Sequence, residues 1–235
     1  MMSDYPAYSR AERLSDAAIH VAGVAAGMVG AGVIVALALR WSDSPWVWLG
    51  AGVYALCLVA MLLASALYHL TPVEHWRGLL QRLDHSAIYV KIAGTYTPFT
   101  ALAGTGPGLL ASLWGAALLG TAIRMLAPGR FVWLALGLYL GMGWAGVVAG
   151  GDLIAALEPR TVTLMVAGGL LYTGGMLFFL WERLPFHNTI WHGFVLVATA
   201  IFYAALLVEL SDERAPASAL ADQPDLAREA VLAPL

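Results

Sequence analysis

Charge is what this sequence has least of. Only 11% of its 235 residues are Asp, Glu, Lys or Arg, against about 25% in an average soluble domain. That shortage excludes an ordinary water-soluble globule. The net charge of −3 offers no basic surface for a polyanion, so no nucleic-acid partner is expected. The chain has a single cysteine, Cys57, in the middle of an apolar stretch. This excludes an intramolecular disulfide, and the residue reads as a small packing group. No polar run long enough for a separate soluble domain interrupts residues 17–210. The first sixteen residues, Met1 to Asp16, lack a cleavable signal, because the apolar stretch after them is too long and has no suitable cleavage site.

What the chain does have is hydrophobic sequence, 60% of all residues. A spanning helix needs about 20 mostly apolar residues. Seven stretches qualify: 17–39, 46–70, 85–103, 108–126, 131–150, 161–181 and 189–210. The expectation is an all-α polytopic membrane protein, one seven-helix bundle over 17–210. A polar amino-terminal segment, 1–16, precedes it, and a mobile tail with a short helix, 211–235, follows it. Turn formers such as Asp43-Ser44-Pro45 and Gly104-Thr105-Gly106-Pro107 separate the stretches. The third stretch is the least apolar, with Asp84 and His85 at its start and Lys91 inside.

Arginines set the expected orientation. With the amino terminus inside, cytoplasmic segments hold Arg10, Arg13, Arg77, Arg82, Arg124, Arg130 and Arg183, and outer loops hold only Arg40 and Arg160. This places the chain as a multi-pass protein of the cell's inner (plasma) membrane, with membrane lipid as its surroundings. Trp76, Leu79, Leu80 and Leu83 predict a short amphipathic helix lying on the inner surface within 71–83. Gly23 with Gly27, and Gly137 with Gly141, have the spacing that lets helices approach closely. This is read as packing within one bundle, and the oligomeric state is left open. Pro98, after Thr95-Tyr96-Thr97, predicts a kink in the third helix.

All six histidines fall at the same edge of this arrangement: His20, His69, His75, His85, His187 and His192. Ionisable groups in a membrane are costly and tend to be functional. Ser65 and His69 lie four apart, on one helix face. Asp84 begins the third stretch and His187 to His192 begins the seventh, at the same depth. Three histidines with one position left for water match a catalytic zinc site, where the metal lowers the pKa of water to about 7. In this reading Asp84 accepts a proton or orients a ligand, and Ser65 donates to an oxyanion. Taken singly, each residue has a structural reading: an orienting hydrogen bond for His20, a solvated loop for His75, a supporting role for His85. Asp84 alone reads as half of an interfacial ion pair, and Ser65 as bonded to its own i−4 carbonyl. His20 is the reserve ligand.

The ordered set Ser65-x3-His69, Arg82-Leu-Asp84-His85, Ile92-Ala-Gly-Thr-Tyr-Thr-Pro98 and Ile190-Trp-His192-Gly-Phe-Val-Leu196 resembles the bacterial hemolysin III family. That family is grouped with the progestin and adipoQ receptors and, more distantly, with alkaline ceramidases. The resemblance runs over about residues 12–210. It implies seven helices, an inside amino terminus, and zinc held by one histidine of the second helix and two of the seventh. Ser65 and Asp84 match the polar partners of that site. His69, His187 and His192 are therefore the expected metal ligands. The receptors use His-x3-His in the last helix, whereas here Asn188 stands four before His192 and His187 stands five before. Residues five apart on a helix point about 140° apart. His187 therefore reaches the metal only from a non-helical approach, with Asn188 as N-cap; otherwise Asn188 or water takes the third place. The resemblance implies a zinc-dependent hydrolase of a lipid amide or ester. The alternatives are a non-catalytic sensor or homeostasis protein with structural zinc and, last, a haemolytic pore-former.

Overall fold

The computed structural model describes residues 8–221, with side chains as far as residue 213. All of its regular structure is helical: α1 (Arg10–Trp41), α2 (Pro45–Leu70), α3 (Glu74–Ala103), α4 (Pro107–Leu126), α5 (Val132–Ala149), α6 (Gly151–Ala156), α7 (Pro159–Leu180) and α8 (His187–Ala221). Local chemistry sets several boundaries. Ser9 and Glu12 form a reciprocal capping box, Glu12 N–H donating to Ser9 Oγ at 3.2 Å and Ser9 N–H to Glu12 Oε2 at 2.8 Å. Pro45, Pro107 and Pro159 each open a helix at its first turn, where a missing N–H costs nothing. Gly104 and Gly106 have φ of 61° and 80°, a left-handed turn that favours glycine.

Six helices are long and apolar enough to cross a membrane: α1, α2, α4, α5, α7 and α8 through residue 213. The surface is apolar to match. Leu118, Leu126, Trp133 and Val148 stand well exposed, whereas His20, Asp84, Lys91, Thr95, Arg124 and Glu209 are buried. Apolar outside and polar inside is the pattern of a bundle whose solvent is lipid.

α3 is missing from those six because of its polar residues, the same ones that turn inward. It packs against α2, α4, α5 and α8, at the centre of the bundle. Its Pro98 sits in an uninterrupted helix. Thr95 and Thr97 donate to the carbonyls of Lys91 and Ala93 at 2.8 and 3.0 Å, tightening the turns before the proline. A Cβ on Gly94 would lie 2.6 Å from Cys57 Sγ, so α2 and α3 approach too closely for alanine there.

Some boundaries differ from the sequence reading. α1 starts at Arg10, so residues 10–16 of the polar leading segment are helical. The amphipathic helix expected over 71–83 is instead the first part of α3, because no proline or turn sequence separates it from the third apolar stretch. The fifth apolar stretch ends at Gly150, and the short α6 follows. α8 runs on through Ala221, so the expected tail begins as helix; 222–235 lie outside the described residues. Gly23 and Gly27 pack tightly against Leu196 and Leu62, as their spacing predicts. Gly137 and Gly141 meet nothing, because they lie on an exposed face of α5.

Candidate metal centre

At one end of the bundle α1 begins, α2 ends and α8 begins. Asp16, His20, His69 and His192 converge there, and one ligand atom from each lies within 4.8 Å of all the others. Helical spacing makes half of the cluster: Asp16 and His20 are four apart on one face of α1. His69 lies in the last turn of α2 and His192 in the second turn of α8. The three imidazole centroids stand 4.3 to 4.8 Å apart.

Asp16 organises the group. Its Oδ1 lies 2.8 Å from His192 Nδ1 and its Oδ2 3.0 Å from His69 Nδ1. A carboxylate only accepts, so both Nδ1 atoms donate to it, which leaves Nε2 as the ligand atom of each ring. His20 Nδ1 donates to the Asp16 carbonyl at 2.8 Å, so its Nε2 faces Ser65 Oγ, 3.2 Å away, as an acceptor. Three imidazoles oriented through Nδ1 by a carboxylate and a carbonyl are what a borderline-soft divalent cation binds. The donor set fits zinc.

Ties between the starts of α1 and α8 hold these groups in place. Ser15 Oγ lies 2.9 Å from Thr189 Oγ1. Glu12 Oε1 accepts the Phe186 N–H at 3.0 Å, bracing a residue whose φ of 60° is costly for a bulky side chain. Burial pushes the Tyr8 phenol up, so the hydroxyl keeps its proton. It accepts from Asn188 Nδ2 and donates to His187 Nε2, both at 3.1 Å.

The structure therefore brings together two of the three expected ligands, His69 and His192, with Ser65 beside them. His187 stands apart. It is the first residue of α8, lies outside the cluster, and its Nε2 is 3.1 Å from the Tyr8 hydroxyl. Asn188 is likewise helical and bonded to Tyr8, so it neither caps α8 nor enters the cluster. His20, the reserve ligand, is in the cluster. Asp16 was missed altogether, although its position four before His20 was the available signal. Asp84 is buried close by, its carboxylate facing Ser65 and His69. His85 packs against the edge of Phe179, and His75 is exposed beside Trp76.

A cavity of about 700 Å³ opens from the cluster into the bundle, lined by α1, α2, α3, α5, α7 and α8. This volume lies within the roughly 300–1,000 Å³ of small-molecule sites. Asp16, His20, Ser65, His69, Asp84 and His192 all reach its wall. Below them it is lined by Ile88, Ile92, Leu136, Leu140, Met176 and Leu196.

Fold and site together define an all-helical multi-pass membrane protein with a histidine–aspartate cluster at the head of an internal cavity. Residues 9–203 match the family described as Haemolysin-III related, and the chain belongs to that family. It is 35% identical over 199 residues to the hemolysin-3 homolog of Bacillus subtilis (strain 168), covering 83% of this chain and 93% of that one. It is 40% identical over 158 residues to hemolysin-3 of Bacillus cereus, covering 66% and 72%. The human monocyte to macrophage differentiation factor is 32% identical over 187 residues, covering 73% and 74%.

Proposed function

We propose that the protein is a zinc-dependent hydrolase of a membrane lipid amide or ester. The observation that carries this reading is that the cluster opens onto a cavity with a buried carboxylate in its wall. His20, His69 and His192 would hold the ion, with Asp16 orienting the imidazoles of His69 and His192. Zinc in such a set polarises an acyl carbonyl and lowers the pKa of water to about 7. Asp84 takes the proton and passes it to the leaving group, and Ser65 donates to the oxygen on which charge develops. The apolar cavity wall receives the lipid's chain and excludes water.

The same reading takes α3 as a seventh crossing. This puts the starts of α1, α3, α5 and α8 at one end, with Arg10, Arg13, Arg77, Arg82, Arg124, Arg130 and Arg183 near it. By arginine bias that end is cytoplasmic, in the cell's inner membrane.

The test is turnover of an N-acyl or O-acyl lipid by purified protein with zinc restored. His69→Ala and Asp84→Ala are both expected to abolish it, and turnover that survives Asp84→Ala overturns the mechanism. One observation favours a second reading, a non-catalytic protein stapled by metal: Asp16 on α1 pairs with both His69 of α2 and His192 of α8. On that reading a chelator lowers the melting temperature while lipid mass spectrometry finds no cleaved product.

A further inference from the structure

The cavity does not end in an apolar floor. Lys91 lines its wall, 4% exposed. It lies seven residues beyond Asp84 on α3, about 10 Å deeper at roughly 1.5 Å per residue. It is the only lysine in the sequence; every other cationic side chain is arginine. Its Nζ donates to Thr95 Oγ1 at 2.6 Å and lies 4.5 Å from the Tyr54 ring centroid. Thr95 spends its own proton on the Lys91 carbonyl at 2.8 Å, so its oxygen faces the ammonium as an acceptor. The Tyr54 hydroxyl, fully buried, has no hydrogen-bond partner.

No carboxylate among the described residues lies within 4.0 Å of Lys91. An ammonium has three donors. One goes to Thr95 and one toward the face of the Tyr54 ring, which leaves capacity on the cavity side. Lys91 protonated at this depth is costly, and a ring face offsets only part of that cost. The cluster at the cavity's head supplies its own counter-charge, but no carboxylate among the described residues meets Lys91.

We propose that Lys91 and Thr95 form a seat for the carboxylate of a single-chain amphiphile, whose chain lies along Ile88, Ile92, Val195 and Leu196. One ammonium balances one carboxylate. A phosphate monoester, at roughly −1.5 to −2, would leave excess negative charge in the membrane interior. The seat is separate from the metal cluster and stands whether or not the cluster is catalytic.

The experiment uses the full chain in detergent at pH 6, labelled with ¹⁵N-lysine so that one side-chain amine resonance reports the site. The probes are decanoate, decan-1-ol and decyl phosphate. Decanoate is expected to shift that resonance and to bind about tenfold or more tighter than the alcohol, a margin of roughly 1.4 kcal/mol. Lys91→Met is expected to erase the margin while leaving the alcohol's affinity within about twofold, and Lys91→Arg to keep part of it. EDTA is expected to leave decanoate binding unchanged. Equal binding of acid and alcohol by the unmodified chain overturns the proposal, with no variant needed. So does loss of decanoate binding on chelation, which would put the carboxylate on the metal cluster. Tighter binding of decyl phosphate than of decanoate overturns the choice of carboxylate.

Discussion

Two polar regions share one cavity and are built on opposite plans. The cluster at its head draws Asp16 and His20 from α1, His69 from α2 and His192 from α8, and its carboxylate answers two imidazoles directly. Lys91, deeper on α3, has a hydroxyl and a ring face but no opposite charge. Ionisable groups inside a membrane are therefore kept here in two ways: by mutual pairing across helices, or by a single helix that presents a charge for something else to meet. The first plan rigidifies the protein without help. The second, on our proposal, leaves a polar group for a ligand to meet.

The sharpest way to break this contrast is to remove one member of the cluster. His69→Ala deletes an imidazole, and bound zinc, measured by elemental mass spectrometry, is expected to fall about tenfold or more. Asp16→Asn keeps the shape but loses the charge that orients His69 and His192, and a 10–100-fold loss of zinc affinity is expected. Stripping zinc with a chelator comes next. Where free zinc had stood about 100-fold above its Kd, roughly 2.7 kcal/mol of stability is withdrawn, seen as a lower melting temperature.

Lys91→Met should act in the opposite direction. It removes a buried amine that no carboxylate among the described residues meets, so the melting temperature is expected to hold or rise, by about 1 kcal/mol equivalent or more. A clear fall would mean that Lys91 is paired within the protein, and the contrast would collapse. The smallest effects belong to the ties outside the cluster. His187→Ala is expected to leave zinc content within about twofold, and Tyr8→Phe to cost about 0.5–1 kcal/mol. Loss of zinc in His187→Ala would restore that histidine as a ligand.

Much of the bundle was readable from hydropathy alone, because six stretches of adequate length contain almost no charge. α3 tests the limit of that signal. Its inward residues, Asp84, Lys91 and Thr95, lower its hydropathy while its place among four other helices hides them from lipid. His69, His192, Ser65 and Asp84 were legible because spacing and family pattern agreed. Asp16 was not, since it sits in a leading segment whose polarity reads as solvent exposure. Only the capping box at Ser9 and Glu12 shows that the helix has already begun there. His187 was attractive for its residue type, but its direction depends on the backbone at Phe186. A positive φ at phenylalanine is something a sequence does not announce.

The span of the cluster along the chain has a consequence for how the protein is made. Its members stand at positions 16, 20, 69 and 192. A chain emerging from the ribosome carries the first three long before the last. The centre therefore cannot close until the final helix has been inserted beside the first. On the proposed zinc reading, occupancy of the centre then reports whether the molecule was finished. Chains truncated before residue 192 would lack the centre and could be recognised by that alone.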